Sequence, residues 1–180
     1  MSISLTTQRL LLRPLTRGDI SQFVPLIGEF DVSKNLSQVP YPYTEENGAW
    51  FVDKMAEGHK TGTDYALAII LQPDRFVGIC GIHPERNWEF GYWIGRPHWG
   101  KGYATEAGHR AVQFAFDDLK AEALNAGWFH DNPASGRVLQ KLGFHPTGEG
   151  ERDSASRGAK VNCHLVALDR ATYMTRKMTP

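Results

Sequence analysis

The chain reads as an α+β domain built on a mixed, mostly antiparallel sheet of about seven strands. Three observations carry that prediction. Strand-like and helix-like runs follow one another in the order β-α-α-β-β-β-α-β-α-β-β. Residues 65–71 and 76–82 are joined by Gln72-Pro73-Asp74-Arg75, a hairpin by composition. Residues 144–151 and 161–168 read as a closing antiparallel pair around polar residues 153–160. With 180 residues, one domain over residues 1–180 can bury a sizeable core.

In chain order, residues 9–13 (RLLLR) predict a short first strand ended by Pro14. Thr16 can cap a helix running to about Ile27, with Pro25 as a point where it could stop early. Residues 31–43 read as a loop that ends in Pro40-Tyr41-Pro42-Tyr43. Thr44, followed by Glu45, Glu46 and Asn47, opens a second helix carrying Trp50, Phe51 and Met55. Residues 88–94 are the fourth strand. A helix over 103–116 shows an apolar stripe of Ala104, Ala107, Ala111, Phe114 and Ala115. Residues 121–129 fit a fifth strand. A short helix over 132–142 has clear punctuation: Asn132 as N-cap, Pro133 at the first position, Gly143 just past the end.

Bulk composition narrows the function classes. Lys plus Arg and Asp plus Glu are 20 each, so net charge is zero and no nucleic-acid footprint is expected. Cys80 and Cys163 stand apart in apolar runs, without CxxC spacing, as small buried hydrophobes. His59, His83, His98, His109, His130, His145 and His164 show no metal-ligand spacing, so no metal is expected. The start MSISLTTQRL lacks an apolar signal core, and no apolar run is long enough for a bilayer. A cytoplasmic protein with no membrane partner is the expectation.

The densest chemistry lies in residues 90–107, FGYWIGRPHWGKGYATEA. An aromatic strand runs into a turn holding Gly95, Gly100 and Gly102, and a helix starts at Tyr103. Strand, glycine loop and helix N-terminus form a layout that binds phosphate, because free N–H groups point at the anion. Three motifs compete for it. GRPHWGK (95–101) begins like a Walker A loop, but Gly102 stands where a Ser or Thr should hold magnesium. Gly100 and Gly102 start a dinucleotide fingerprint, but Thr105 takes the place of its third glycine. The third option is the diphosphate loop of an acetyl-CoA enzyme.

WGKGYATEA resembles that loop in the GNAT superfamily of N-acetyltransferases, in the branch of the ribosomal-protein N-terminal (alanine/serine) acetyltransferases. The resemblance extends through TQRLLLRPL (7–15), PYPYTEE (40–46) and NPASGRVLQKLGF (132–144), nearly the whole chain. It implies a three-layer α/β/α fold whose sheet is splayed between the fourth and fifth strands, with acetyl-CoA as co-substrate between them. The Tyr92, Trp93 and Ile94 backbone would then pair with the pantetheine arm. Backbone N–H groups of Trp99, Gly100, Lys101, Gly102, Tyr103 and Ala104 would bind the diphosphate. One departure is Pro97, which stands where the loop pattern has Gln or Arg; Arg96, one residue earlier, is open as a phosphate contact.

The resemblance also assigns catalytic roles. Glu89 matches the fourth-strand glutamate that acts as general base in several members; a solvent-facing acid is the competing reading. Glu106 is the runner-up base, though an acid in a first helical turn complements the dipole. Ser135 shares the buried face of its helix with Leu139 and Leu142. The family's helix tyrosine is absent from RVLQK (137–141), and Ser135 matches the serine proposed to support the departing thiolate. Asn132 adds a contact to the pantetheine. Tyr41, Tyr43 and Trp50 are candidates for an acceptor pocket or for packing. The implied activity is transfer of acetyl to a primary amine, with the branch pointing to the α-amine of a peptide or protein N-terminus. A polyamine or aminoglycoside acceptor and a non-catalytic acyl-CoA-binding module are the alternatives; monomer and homodimer both stay open.

Overall fold

The computed structural model describes residues 3–178. Its sheet has eight strands: β1 (Leu5–Thr6), β2 (Leu10–Pro14), β3 (Tyr65–Leu71), β4 (Arg75–His83), β5 (Glu89–Ile94), β6 (Ala123–Phe129), β7 (His145–Ser154) and β8 (Ala159–Asp169). Their spatial order is β1-β2-β3-β4-β5-β6-β8-β7, and every pairing is antiparallel except β5 with β6. This is the expected mixed α+β sheet with one strand more than expected. The addition is β1, whose two residues are too few to show alternation. The first predicted strand sits one residue later, at β2, and includes Pro14.

Among the described residues six helices flank the sheet: α1 (Ile20–Ile27), α2 (Phe30–Ser33), α3 (Glu45–Thr61), α4 (Tyr103–Gln113), α5 (Pro133–Leu142) and α6 (Arg170–Met178). Pro25 sits inside α1 without stopping it, because Phe23 and Ile27 on either side are buried. Helix α2 falls in what sequence read as loop; four residues carry no readable period. The Thr44 hydroxyl accepts from the Asn47 backbone N–H, and the Asn47 side chain accepts from Thr44 N–H at 2.9 Å, which starts α3. Helix α4 gives way at Phe114 to a wider π turn that turns Phe114, Ala115 and Phe116 all inward. The predicted fifth strand begins two residues later than expected, at Ala123. Helix α6 was not foreseen; its signal was Asp169, which accepts from Thr172 N–H at 2.8 Å as an N-cap.

Alternation along the strands builds two cores. Leu67, Ile69, Phe90 and Ile94 pack with Ala107, Ala111, Leu139 and Leu142 of α4 and α5. Ala68, Ile70, Ile79 and Trp93 pack with Phe23, Ile27, Val52 and Met55 of α1 and α3. Full burial of each large apolar side chain stabilises by about 1.5–3 kcal/mol. The result is the α/β/α layering, with β5 exposing a different partner set on each face. Both cysteines are buried and free, and burial pushes the Cys80 thiol up to about 12.

Candidate active site

Strands β5 and β6 touch at one point. Glu89 pairs with Asn125, Asn125 N–H donates to the Trp88 carbonyl at 3.1 Å, and the Asn125 amide donates to the Asn87 carbonyl at 2.7 Å. Trp88 itself has φ 56°, so the predicted strand start at residue 88 is displaced to Glu89. Beyond this apex the two strands diverge. Between them lies a cavity of about 510 Å³, lined by Glu89 to Ile94, by Gly127 and Trp128, by α5 residues including Ser135, and by the glycine loop.

The ladder pattern tells which backbone groups face the cavity. Gly95 N–H donates to the Val77 carbonyl at 2.9 Å. In an antiparallel pair the bonded residues alternate, so Glu89, Gly91 and Trp93 bond to β4. Phe90, Tyr92 and Ile94 face the β6 side; the parallel pair takes the Phe90 N–H to the Asn125 carbonyl, and the N–H groups of Tyr92 and Ile94 turn toward the cleft. Trp93 lines the cavity, but its backbone belongs to the β4 ladder and its ring packs near Phe76. The Ile94 carbonyl already accepts the Trp99 indole N–H at 2.6 Å.

At the other end, Gly100 and Gly102 have φ 72° and 81°, a conformation open to glycine at no steric cost. Trp99 N–H is occupied by the Arg96 carbonyl at 3.2 Å, so it is not free for a phosphate. The N–H groups of Gly100, Lys101, Gly102, Tyr103 and Ala104 have no acceptor among the described residues. They cluster at the positive end of α4. Arg96 points the other way, to Asp31 at 3.5 Å and Glu29 at 3.9 Å, which removes it from the loop.

Arg9, which sequence reading passed over, clamps the loop. Its guanidinium lies 4.7 Å from the Tyr103 ring centre, donates to the Lys101 carbonyl at 3.2 Å, and bonds Glu106 through Nε at 2.7 Å. Glu106 also accepts from the Thr7 hydroxyl at 2.6 Å and the Arg9 N–H at 2.9 Å. Desolvation pushes its carboxyl up, but the bonds from Thr7 and Arg9 outweigh that and hold it below the usual range. Glu106 thus ties the β1–β2 turn to α4 and is no candidate base.

Glu89 reaches the cavity, with Oε1 in an ion pair to Nη1 of Arg152 on β7. Oε2 has no partner among the described residues. Tyr92, expected only for its backbone, brings its phenol to Ser135 and donates to Oγ at 3.0 Å. Burial pushes that phenol up to about 12, against a smaller opposite effect of the Ser135 bond. Asn132 accepts from Ser135 N–H at 3.3 Å through Oδ1, so it serves as the N-cap that seats Ser135 on the cavity wall.

Tyr41, Tyr43 and Trp50 are not brought to the cavity. Tyr41 packs edge-on to Phe30, Tyr43 lies against Phe23, and Trp50 is 62% exposed under Lys54. Asn35, Leu36 and Ser37 stand there instead, held by Arg157 Nε to the Lys34 carbonyl (2.8 Å) and Ala155 N–H to the Ser37 carbonyl (2.9 Å). Neither they nor Arg152 carried a sequence signal, because the β7–β8 hairpin meets residues 34–37 and Glu89 only through the fold. Among the described residues no group of three or more His, Cys, Asp or Glu is placed to hold a metal, and no helix is long and apolar enough to cross a membrane.

Comparison with known proteins agrees with this fold. The Bacillus subtilis "Probable N-acetyltransferase YjcK" is 36% identical over 132 residues, 70% of this chain and 73% of that protein. The "Uncharacterized N-acetyltransferase p20" of Bacillus licheniformis is 25% identical over 94% of this chain and 98% of its own length. Among solved structures, the ribosomal-protein-S5-alanine acetyltransferase of Vibrio fischeri superposes with TM-score 0.80 at 17% identity, covering 93% of this chain and 96% of that one. The spermidine N-acetyltransferase of Vibrio cholerae, solved with CoA and spermine, gives 0.80 at 18% identity over 93% and 99%. Residues 9–145 match the Acetyltransferase (GNAT) domain, and the chain belongs to that family of acetyl-CoA-dependent N-acetyltransferases.

Proposed function

We propose that the protein transfers acetyl from acetyl-CoA to a single α-amine, that of a peptide or protein N-terminus. The observation that carries this reading is the charge of the cavity wall. Glu89 is the one carboxylate among the described lining residues, beside Arg137, Lys141 and Arg152. A polyamine presents several ammonium groups, and one carboxylate already shared with Arg152 offers them too little counter-charge. One α-amine needs only Glu89 Oε2. The chemistry favours the same acceptor. An α-amine has a reference pKa of about 7.7–8.0 against about 10.4 for lysine, a gap worth roughly 3.4 kcal/mol of deprotonation.

In this reading the N–H groups of Gly100 to Ala104 hold the diphosphate, and Tyr92 and Ile94 edge groups align the pantetheine. The Tyr92 N–H polarises the thioester carbonyl, and Ser135 supports the departing sulfur. Holding amine and thioester together supplies much of the rate. The test is a pair of peptides of identical sequence, one with a free N-terminus and blocked lysine, the other reversed, with spermidine as a third arm. Mass spectrometry is expected to find acetyl on the free N-terminus. Transfer mainly to lysine or spermidine would overturn the acceptor. Binding of acetyl-CoA with no free CoA released for any amine would make the protein a binding module.

A further inference from the structure

We infer that His83, oriented by Asp64, is the group that takes the proton from the incoming amine. His83 ends β4 and stands directly opposite Glu89 in the ladder. Paired residues share a face, so the imidazole is on the side of β5 that carries Glu89, Gly91 and Trp93. The ring lies across the facing glycines of the two strands. A methyl on Gly81 would meet Nε2 at 3.0 Å, and one on Gly91 would meet it at 3.8 Å. Gly91 and Glu89 line the cavity while His83 does not, so Nε2 stands just behind the cavity wall, 3.8 Å from where a methyl on Gly91 would sit.

The protonation pattern suits a base. His83 Nδ1 lies 2.9 Å from Asp64 Oδ2. A carboxylate only accepts, so the neutral ring carries its proton on Nδ1 and presents a bare lone pair at Nε2. Nε2 has no hydrogen-bond partner among the described residues. Asp64 is buried, and its Oδ1 also lacks a partner, which leaves its charge to stabilise an imidazolium. Glu89, by contrast, shares Oε1 with Arg152. The other charged or titratable groups around the pair are Lys54 and Glu57 on α3, which share a small cavity with Asp64, Glu85 and Arg86 in the turn after β4, and His59 on α3, whose Nε2 is 2.9 Å from the Ala66 carbonyl.

The inference rests on acetyl transfer to an amine. Glu89 Oε2 holds the ammonium, and one N–H proton passes through a bridging water to His83 Nε2. The freed lone pair forms the N–C bond at the thioester carbon. The C–S bond then breaks, its electron pair leaves on sulfur, and the second amine proton ends on that sulfur. The imidazolium returns its proton to solvent.

The experiment compares His83→Gln and Asp64→Asn with the wild type, using acetyl-CoA and a peptide with a free N-terminus. His83→Gln is expected to lower kcat roughly a hundredfold or more at neutral pH, with acetyl-CoA affinity unchanged and circular dichroism native. The loss should shrink as pH rises past about 8, where an α-amine is already neutral. Asp64→Asn is expected to lower kcat about tenfold with the same pH trend. Wild-type kcat in His83→Gln, or an equal loss at every pH, would overturn the role. Nitrogen-15 NMR of histidine-labelled protein reads the ring without any turnover. A proton on Nδ1 of His83 is expected, and a proton on Nε2 would overturn the inference even if no acceptor is ever acetylated.

Discussion

The Ser135 hydroxyl accepts the Tyr92 phenol at 3.0 Å, and that bond decides where its own proton goes. A hydroxyl occupied as acceptor on one side turns its O–H to the other, here into the cavity both residues line. With the phenol pushed up to about 12, Tyr92 stays a donor throughout any ordinary assay pH. Tyr92 is therefore a positioning residue for Ser135. Tyr92→Phe and Ser135→Ala are each expected to lower kcat about tenfold, with little change in KM for acetyl-CoA. The double variant should fall no further than the worse single one, because both remove the same interaction. Steady-state kinetics of the four proteins checks this, and additive losses would separate the two residues. The sequence held half of this pair. Period-two alternation puts Phe90, Tyr92 and Ile94 on one face, and helical spacing puts Ser135 on the buried side of its helix. That the two faces meet is a matter of how β5 and α5 pack across the cleft, which no local pattern encodes. Arg152 escaped for the same reason: it sits in a polar strand, 63 residues from Glu89.

At the scale of elements, the turn before α4 is set by two left-handed glycines. A Cβ at 102 would meet only Arg9 Nη2 at 3.5 Å, so the first carbon of a side chain has room. The backbone is the obstacle, since a β-branched residue at φ 81° is strained by at least about 1–2 kcal/mol. The loop is expected to re-form with its N–H groups turned off the ligand. Gly102→Val should therefore bind acetyl-CoA at least tenfold more weakly while its circular dichroism stays native. Unchanged affinity by calorimetry in a folded variant would refute the assignment of this loop. Such punctuation is also where sequence was most readable. Thr44 with Asn47 starts α3, and Asn132, Pro133 and Gly143 bracket α5, as the local chemistry predicts. Elements without room for a period were missed: two-residue β1 and four-residue α2. The 310 turn Arg96–His98 was missed too, and it consumes the Trp99 N–H.

For the whole molecule, the zero net charge conceals a set of carboxylates that depend on staying ionised. Asp19 is buried, and accepts from Arg13 at 2.7 and 2.8 Å and from Thr16 N–H and Oγ1 at 2.8 and 2.9 Å. Desolvation pushes this carboxyl up, but the bonds from Arg13 and Thr16 outweigh it and hold it below its ordinary 3.8. Glu106, Asp117 and Asp131 are shifted the same way by their partners. A depressed folded-state value means stability that is full above the unfolded value and is lost as pH falls through the folded one. The protein is thus expected to lose melting temperature progressively below about pH 4. As its acids are protonated, net positive charge adds repulsion in the same window. Asp19→Asn isolates one contribution. It removes charge-assisted bonds worth about 2 kcal/mol, or roughly 4–8 °C of melting temperature at pH 7 for a domain of this size. Its melting temperature should then fall less than the wild type's between pH 7 and pH 3, so that the two curves converge in acid. Calorimetric melts across that range decide the matter, and curves that stay parallel would show that the Arg13–Asp19 pair contributes nothing to acid stability.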